Sequence, residues 1–205
     1  MTSKIQIWNM ALGYLGTRTV ASETERTPEA IQCGLYWDVA RRAALRGYPW
    51  RWAQRRARLA EKDVPELYAR EWRYAYTVPD KFLHLHRVAT DGDRTGKPRW
   101  LLVSMTDGTP LILSDIPQAV ADYTVDVEDV SRWDDAFVKA MSLRLACEIA
   151  GPLLKNNGAK VQELEQRYQL ALPAAYDGNT NDNNPPKRED PWITARSGCA
   201  EDYWR

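Results

Sequence analysis

His84 and His86 are the only two histidines of the chain, and they stand two apart in a stretch that alternates. On a strand they share one face, which is a spacing a pair of metal ligands can use. A site needs at least a third ligand, and no Cys or further His lies nearby in sequence. Gly92-Asp93-Arg94-Thr95-Gly96-Lys97 resembles a phosphate loop but is one residue short, continues with Pro98 in place of Ser or Thr, and lies between expected strands. Asp91, Asp93, Thr95 and Gly96 match the start of a calcium loop, yet position twelve is Leu102 where a bidentate Glu is required. There is no Gly-x-Ser-x-Gly elbow and no His-Glu-x-x-His. Carboxylates are plentiful, but none stands in an apolar setting that would raise its pKa. The expectation is a protein without catalytic residues, cofactor or bound metal.

The other chemistry on offer is electrostatic. Arg41, Arg42, Arg46, Arg51, Arg55, Arg56 and Arg58 follow one another with no acid between them, interleaved with Trp50 and Trp52. Arginine and tryptophan in this pattern suit single-stranded nucleic acid, by phosphate contact and base stacking. The bland alternative is a solvated or subunit-facing surface over a tryptophan core. The whole chain has 28 basic and 28 acidic residues, so no positive excess drives binding by counterion release. An acidic stretch balances the basic one: Asp122, Asp126, Glu128, Asp129, Asp134 and Asp135, with Arg132 the one base among them. Two such patches can meet between copies, and a ring closes when one patch meets a different patch on the next subunit. Arg41, Arg42, Arg46, Asp126, Glu128 and Asp129 are the candidate contacts. The bland alternative is again an ordinary solvated face, with some acids suiting a helix start.

These residues need elements to position them. Ser3 can cap a first helix carrying Ile5, Trp8, Leu12 and Leu15 at helical spacing, ended by Gly16. Residues 17–26 are turn-like, and the two flanking helices pack readily as an antiparallel pair. Thr27 and Pro28 start a long second helix whose apolar face is Ala30, Ile31, Trp37, Ala40, Ala44 and Leu45. Gly47, as a left-handed cap, and Pro49 end it. Trp50 and Trp52 then share a face of an extended chain.

From residue 53 to 127 the pattern switches to period two, with four to six strands expected. Trp72, Tyr74 and Tyr76 alternate onto one face before Pro79. Residues 82–88 alternate less cleanly. Thr106-Asp107-Gly108-Thr109-Pro110 is a hairpin turn. Ala121, Tyr123, Val125 and Val127 make the last strand. A third helix follows, capped by Ser131 or Asp134, with Phe137, Ala140, Met141 and Leu145 inward and Gly151-Pro152 interrupting it. The fourth carries the cleanest apolar stripe, Val161, Leu164, Tyr168, Leu172 and Ala175, broadened by Leu170 and Ala171. The fold class expected is α+β: a bundle of about four helices (1–52 and 128–176) with an inserted antiparallel β domain (53–127).

Residues 177–205 form an expected extended tail. DGNTNDNNPPKREDP buries too little apolar surface to fold alone. Yet Trp192, Ile193, Tyr203 and Trp204 follow it, and a tail without a core gives such residues no internal purpose. They are expected to anchor the tail on a partner; packing back on the chain's own domain is the alternative. Nine Trp and ten Tyr against two Phe weakly favour a chain that lives among other chains, a Trp-rich core being the competing account. Cys33, Cys147 and Cys199 are too few and too scattered for a disulfide framework. The N-terminal stretch lacks a signal peptide's apolar run, and no window approaches the roughly 20 apolar residues of a membrane span. A cytosol-like compartment is expected, at least until assembly.

An ordered set of residues carries a resemblance. Asn9, Ala11-Leu12 and Leu15-Gly16 open the chain. Cys33, Tyr36, Arg41 and Leu45 lead to Pro49-Trp50, Ala53 and Leu59. Trp72-x-Tyr74-x-Tyr76-x-x-Pro79 follows, then Phe137-x-x-Ala140, Leu145-Ala146 and Ile149-Ala150. This order resembles the tail tubular protein A family, the head-to-tail adaptors of short-tailed bacteriophages, over about residues 5–176. The resemblance implies a helical bundle carrying a β domain. It also implies a virion ring of twelve copies between the portal protein and the tail nozzle protein, with DNA passing through its lumen. It supplies no catalytic residues. A structural ring protein is therefore the first expectation. A nucleic-acid-binding module using the Arg/Trp-rich stretch 41–58 is the alternative. A hydrolase using carboxylates such as Asp126 or Glu128 is a third reading.

Overall fold

The computed structural model describes residues 2–91, 98–154 and 157–181, with 174–181 described by backbone alone. It is an α+β protein in which helices at the two ends of the chain flank two antiparallel sheets. Helix α1 (Lys4–Leu15) begins where the Ser3 hydroxyl accepts from the Gln6 amide and ends at Gly16, whose φ of 70° lets the chain leave in the left-handed region. Asn9 holds the following loop by donating to the Val20 carbonyl and accepting from the Val20 amide.

Helix α2 (Pro28–Gly47) starts with the Thr27 hydroxyl accepting from the Ala30 amide, and Pro28 opens its first turn. It ends at Gly47, as expected, but without a left-handed cap. Gly47 is still helical, and Tyr48 leaves in an extended conformation at φ −149°. The glycine serves close packing instead: a Cβ there would stand 3.2 Å from the Tyr168 hydroxyl. Trp50 and Trp52 do not share a strand face either. A short 3-10 turn, Arg51–Ala53, separates them, and both rings reach the same partner, Phe137, at 5.0 Å.

Helix α3 (Asp135–Leu153) is capped by Asp134 and is buried almost all round, from Phe137 to Ala150. A helix apolar on every side takes the centre of a bundle. Accordingly α1, α2 and α4 (Gly158–Asn181) each pack mainly on α3, and α1 and α2 do not form a close pair of their own. Gly151-Pro152 falls in the last turn of α3, where the helix stops at Leu153. Helix α4 buries Leu164 and Tyr168 but leaves Leu170 exposed. It continues through residues 177–181, which sequence alone assigned to an extended tail. Extending a formed helix needs far less than starting one, so polar residues can prolong it. The main core is aromatic: Trp8, Trp37, Trp133 and Phe137 form a chain of ring contacts that Trp50 and Trp52 complete. Buried indoles of Trp50 and Trp133 donate to the carbonyls of Ala44 and Val127.

Seven strands are present among the described residues, one more than the upper expectation. β1 (Gln54–Arg58), β7 (Val120–Val125) and β4 (Phe82–Ala89) form a sheet in the order β1-β7-β4. Bulges at 82–84 and 85–87 account for the imperfect alternation of β4. β2 (Glu61–Lys62), β3 (Tyr74–Thr77), β6 (Pro110–Ser114) and β5 (Trp100–Ser104) form the second, in the order β2-β3-β6-β5. Gly108, at φ 81°, turns the β5–β6 hairpin, and the Asp107 carboxylate accepts from the Thr109 amide. Tyr74 and Tyr76 stack along β3 at 6.5 Å. Trp72 lies before the strand and is covered by the Arg99 guanidinium at 4.8 Å.

A smaller core gathers Leu59, Tyr76, Leu85, Val88, Ile112, Ala119, Ala121 and Tyr123. The Tyr76 hydroxyl donates to the Ile116 carbonyl and accepts from the Ala119 amide, satisfying its polar tip. Among the described residues, no helix is long and apolar enough to cross a membrane.

Candidate interaction surfaces

The basic and acidic stretches meet first inside the chain. Arg41 sits on the flank of α2 and is 6% exposed. Its Nε and Nη2 donate to the two carboxylate oxygens of Asp126 at 2.8 and 2.9 Å, and its Nη1 donates to Asp38 at 2.6 Å. Burial alone would lower the guanidinium's pKa, but hydrogen bonds and charge from Asp126 and Asp38 leave it raised. The fork fits the carboxylate bidentately, as guanidinium geometry favours. This corrects the assignment of Arg41 and Asp126 to contacts between subunits. The chain brings α2 beside the end of β7, so the two groups neutralise one another within one molecule.

The same is true of much of the basic stretch. Arg56 faces Asp122 at 3.8 Å and Arg58 faces Asp91 at 2.8 Å. Arg55 donates to the carbonyls of Trp52 and Gln54, and Arg42 to that of Asp38. Arg46 and Arg51 are exposed. On the acidic side, Glu128 pairs with Lys81 at 3.3 Å, both ends exposed. Asp129 caps a 3-10 turn, Val130–Arg132, where hydrogen bonds from Ser131 hold its carboxyl below the usual range. Asp80, Lys81, Glu128, Asp129 and Arg132 rim an open cleft of about 430 Å³ floored by Val125 and Val127. A second open cleft, about 650 Å³, lies against Trp72, Arg70, Arg73, Arg99 and Asp115.

His84 and His86 do share a face of β4, with ring centroids 4.9 Å apart. His86 Nε2 lies 2.7 Å from the buried Thr124 hydroxyl. Burial, and then the neighbouring His84, push the His86 pKa down, against the pull of Asp122. Among the described residues, no three His, Cys, Asp or Glu gather as a metal site. Burial pushes the Cys33 and Cys147 thiols up to about 12, so both behave as core residues and not as nucleophiles. The glycine-containing segment 92–97, Cys199 and the tail anchors Trp192, Ile193, Tyr203 and Trp204 lie outside the described residues.

Several large apolar side chains also remain outside both cores. Ile31, expected in the core, is 57% exposed, and Leu35 and Val39 are 66% and 50% exposed. The three recur every fourth residue, so they line one outward stripe of α2, opposite the buried Ala30, Cys33, Trp37, Ala40 and Ala44. The signal was present in the sequence as a second apolar face on one helix. Trp100, Leu101 and Leu102 on β5 are 37–42% exposed, and β5 is an edge strand of its sheet among the described residues. Successive residues of a strand point to opposite faces, so β5 shows apolar side chains on both. Soluble proteins guard such edges, because they invite another chain.

Among known proteins, no family model and no curated sequence matches this chain.

Proposed function

We propose that the chain is a structural virion protein, the head-to-tail adaptor of a short-tailed bacteriophage. Copies form a ring, twelve by the resemblance described above, between the portal protein and the tail nozzle protein. DNA crosses the lumen without sequence-specific binding. The observation that carries the reading is the apolar surface left outside both cores, on the stripe of α2 and the edge of β5. Surfaces of this kind mark contacts with other protein chains. The balanced charge is compatible with a passage along which a polyanion must slide. The tail residues Trp192, Ile193, Tyr203 and Trp204 supply anchors for the portal or a neighbouring copy.

The nucleic-acid-binding alternative draws on Arg41 to Arg58, and three of those seven arginines are turned to carboxylates of their own chain. A hydrolytic role for Asp126 is likewise disfavoured by its bidentate pair with Arg41. The test is the mass of the purified chain, alone and mixed with its cognate portal protein. A closed ring in either sample supports the proposal. A chain that stays a single copy in both overturns it.

A further inference from the structure

The ring reading demands a seam between neighbours, and the charge left over after internal pairing points to where it lies. Ile31, Leu35 and Val39 run about 12 Å along the outside of α2. Arg42 and Arg46 continue the same face, about 100° or more around the helix from Arg41. Arg42 reaches only a backbone carbonyl of its own helix, and Arg46 has no acidic partner among the described residues. A second surface carries the opposite charge. Asp80, Glu128 and Asp129 border the cleft described above, with Lys81, Arg55 and Arg132 among them, and exposed Asp135 in the first turn of α3 keeps the segment 128–135 acidic on balance. Asp126 in the cleft is taken by Arg41, whereas the pair of Glu128 with Lys81 is exposed at both ends and therefore weak.

We infer that the α2 face from Ile31 to Arg46 of one copy packs on the acidic rim Glu128–Asp135 of a second copy. The inference rests on the ring reading and names its seam. The two patches differ, so the contact is heterologous, and contacts of that type repeat head to tail and make a ring where the rotation between copies closes. The occupant is a second copy because this chain itself carries the complementary charge.

The experiment places a photo-crosslinking residue at Leu35 in the full chain, alone and with the portal protein. The expected product joins Leu35 to residues 128–135 of another copy. Arg42→Glu with Arg46→Glu should weaken self-association at least about tenfold, as lost charge pairs do at interfaces. Adding Glu128→Arg and Asp129→Arg to that same chain should restore it. All five positions are exposed, so folding is checked by an unchanged circular dichroism spectrum. Rings that survive both Leu35→Asp and the two arginine reversals overturn this seam and leave the adaptor reading standing. A crosslink from Leu35 to another α2 overturns it in favour of a twofold pair. A chain that never self-associates, with or without portal, overturns the seam and the adaptor reading together.

Discussion

The helical half and the β half of this protein solve burial differently. In the helical half, α3 is surrounded by three helices, and Trp8, Trp50, Phe137 and Met141 are essentially inaccessible. In the β half, the smaller core is built mostly from medium-sized side chains, and one edge strand leaves Trp100, Leu101 and Leu102 partly in water. In the four-stranded sheet β6 is buried on both faces, from Leu111 to Ser114, and the exposed apolar side chains lie on the edge strand β5. Both halves leave apolar surface for a neighbour, the helical half along Ile31, Leu35 and Val39 and the β half along Trp100, Leu101 and Leu102. Arg41 with Asp126 couples them, since it ties α2 to the end of β7.

That contrast can be broken most directly at its centre. Phe137→Ala removes the ring on which Trp50, Trp52 and Trp133 converge. It should cost about 3–5 kcal/mol in urea unfolding, by lost transfer energy and a residual cavity. Next comes the coupling. Arg41→Met leaves the Asp126 carboxylate buried without its partner and should cost about 3 kcal/mol. Adding Asp126→Leu should recover much of that loss; if the double variant is as unstable as the single, the pair is not what joins the halves.

A smaller change sharpens the β side alone. Tyr76→Phe deletes a hydroxyl that donates to Ile116 and accepts from Ala119, and should cost about 1 kcal/mol. Amide exchange should quicken in β3, β6 and residues 116–120 and stay unchanged in α3. The smallest effect expected is that of pH. The folded-state pKa of His86 is depressed, so the folded form holds the neutral ring more tightly than the unfolded chain does. Its contribution is complete above the unfolded value near 6.5 and is lost as pH falls through the folded one. Thermal midpoints measured between pH 7.5 and 5 should fall more steeply in the native chain than in His86→Gln.

Most helix starts were legible because their signals are local, whereas the end of α4 was not. Ser3, Gly16, Thr27, Pro28 and Asp134 cap or open helices through groups within a few residues of themselves. The hairpin at Gly108 was equally plain, since a positive φ is a property of one residue. The alternation of β4 was read correctly as irregular, because bulges disturb the very period being read. Gly47 marked the end of α2 but not its conformation, because its missing Cβ makes room for Tyr168, far along the chain. Ile31 misled because an apolar residue on a helix with two apolar faces does not reveal which face turns inward.

By itself, then, the order of residues determined the α+β class, the starts of helices α1 and α2 and the turn of the main hairpin, and it narrowed the start of α3 to Ser131 or Asp134. Each of those depends on interactions spanning a few residues, which the chain carries wherever it goes. Only the tertiary structure decided that α3 is the hub, that Arg41 belongs to Asp126, and that Ile31, Leu35 and Val39 are left facing out. Those facts depend on which surfaces meet when distant segments exclude water together, and no local pattern encodes that choice.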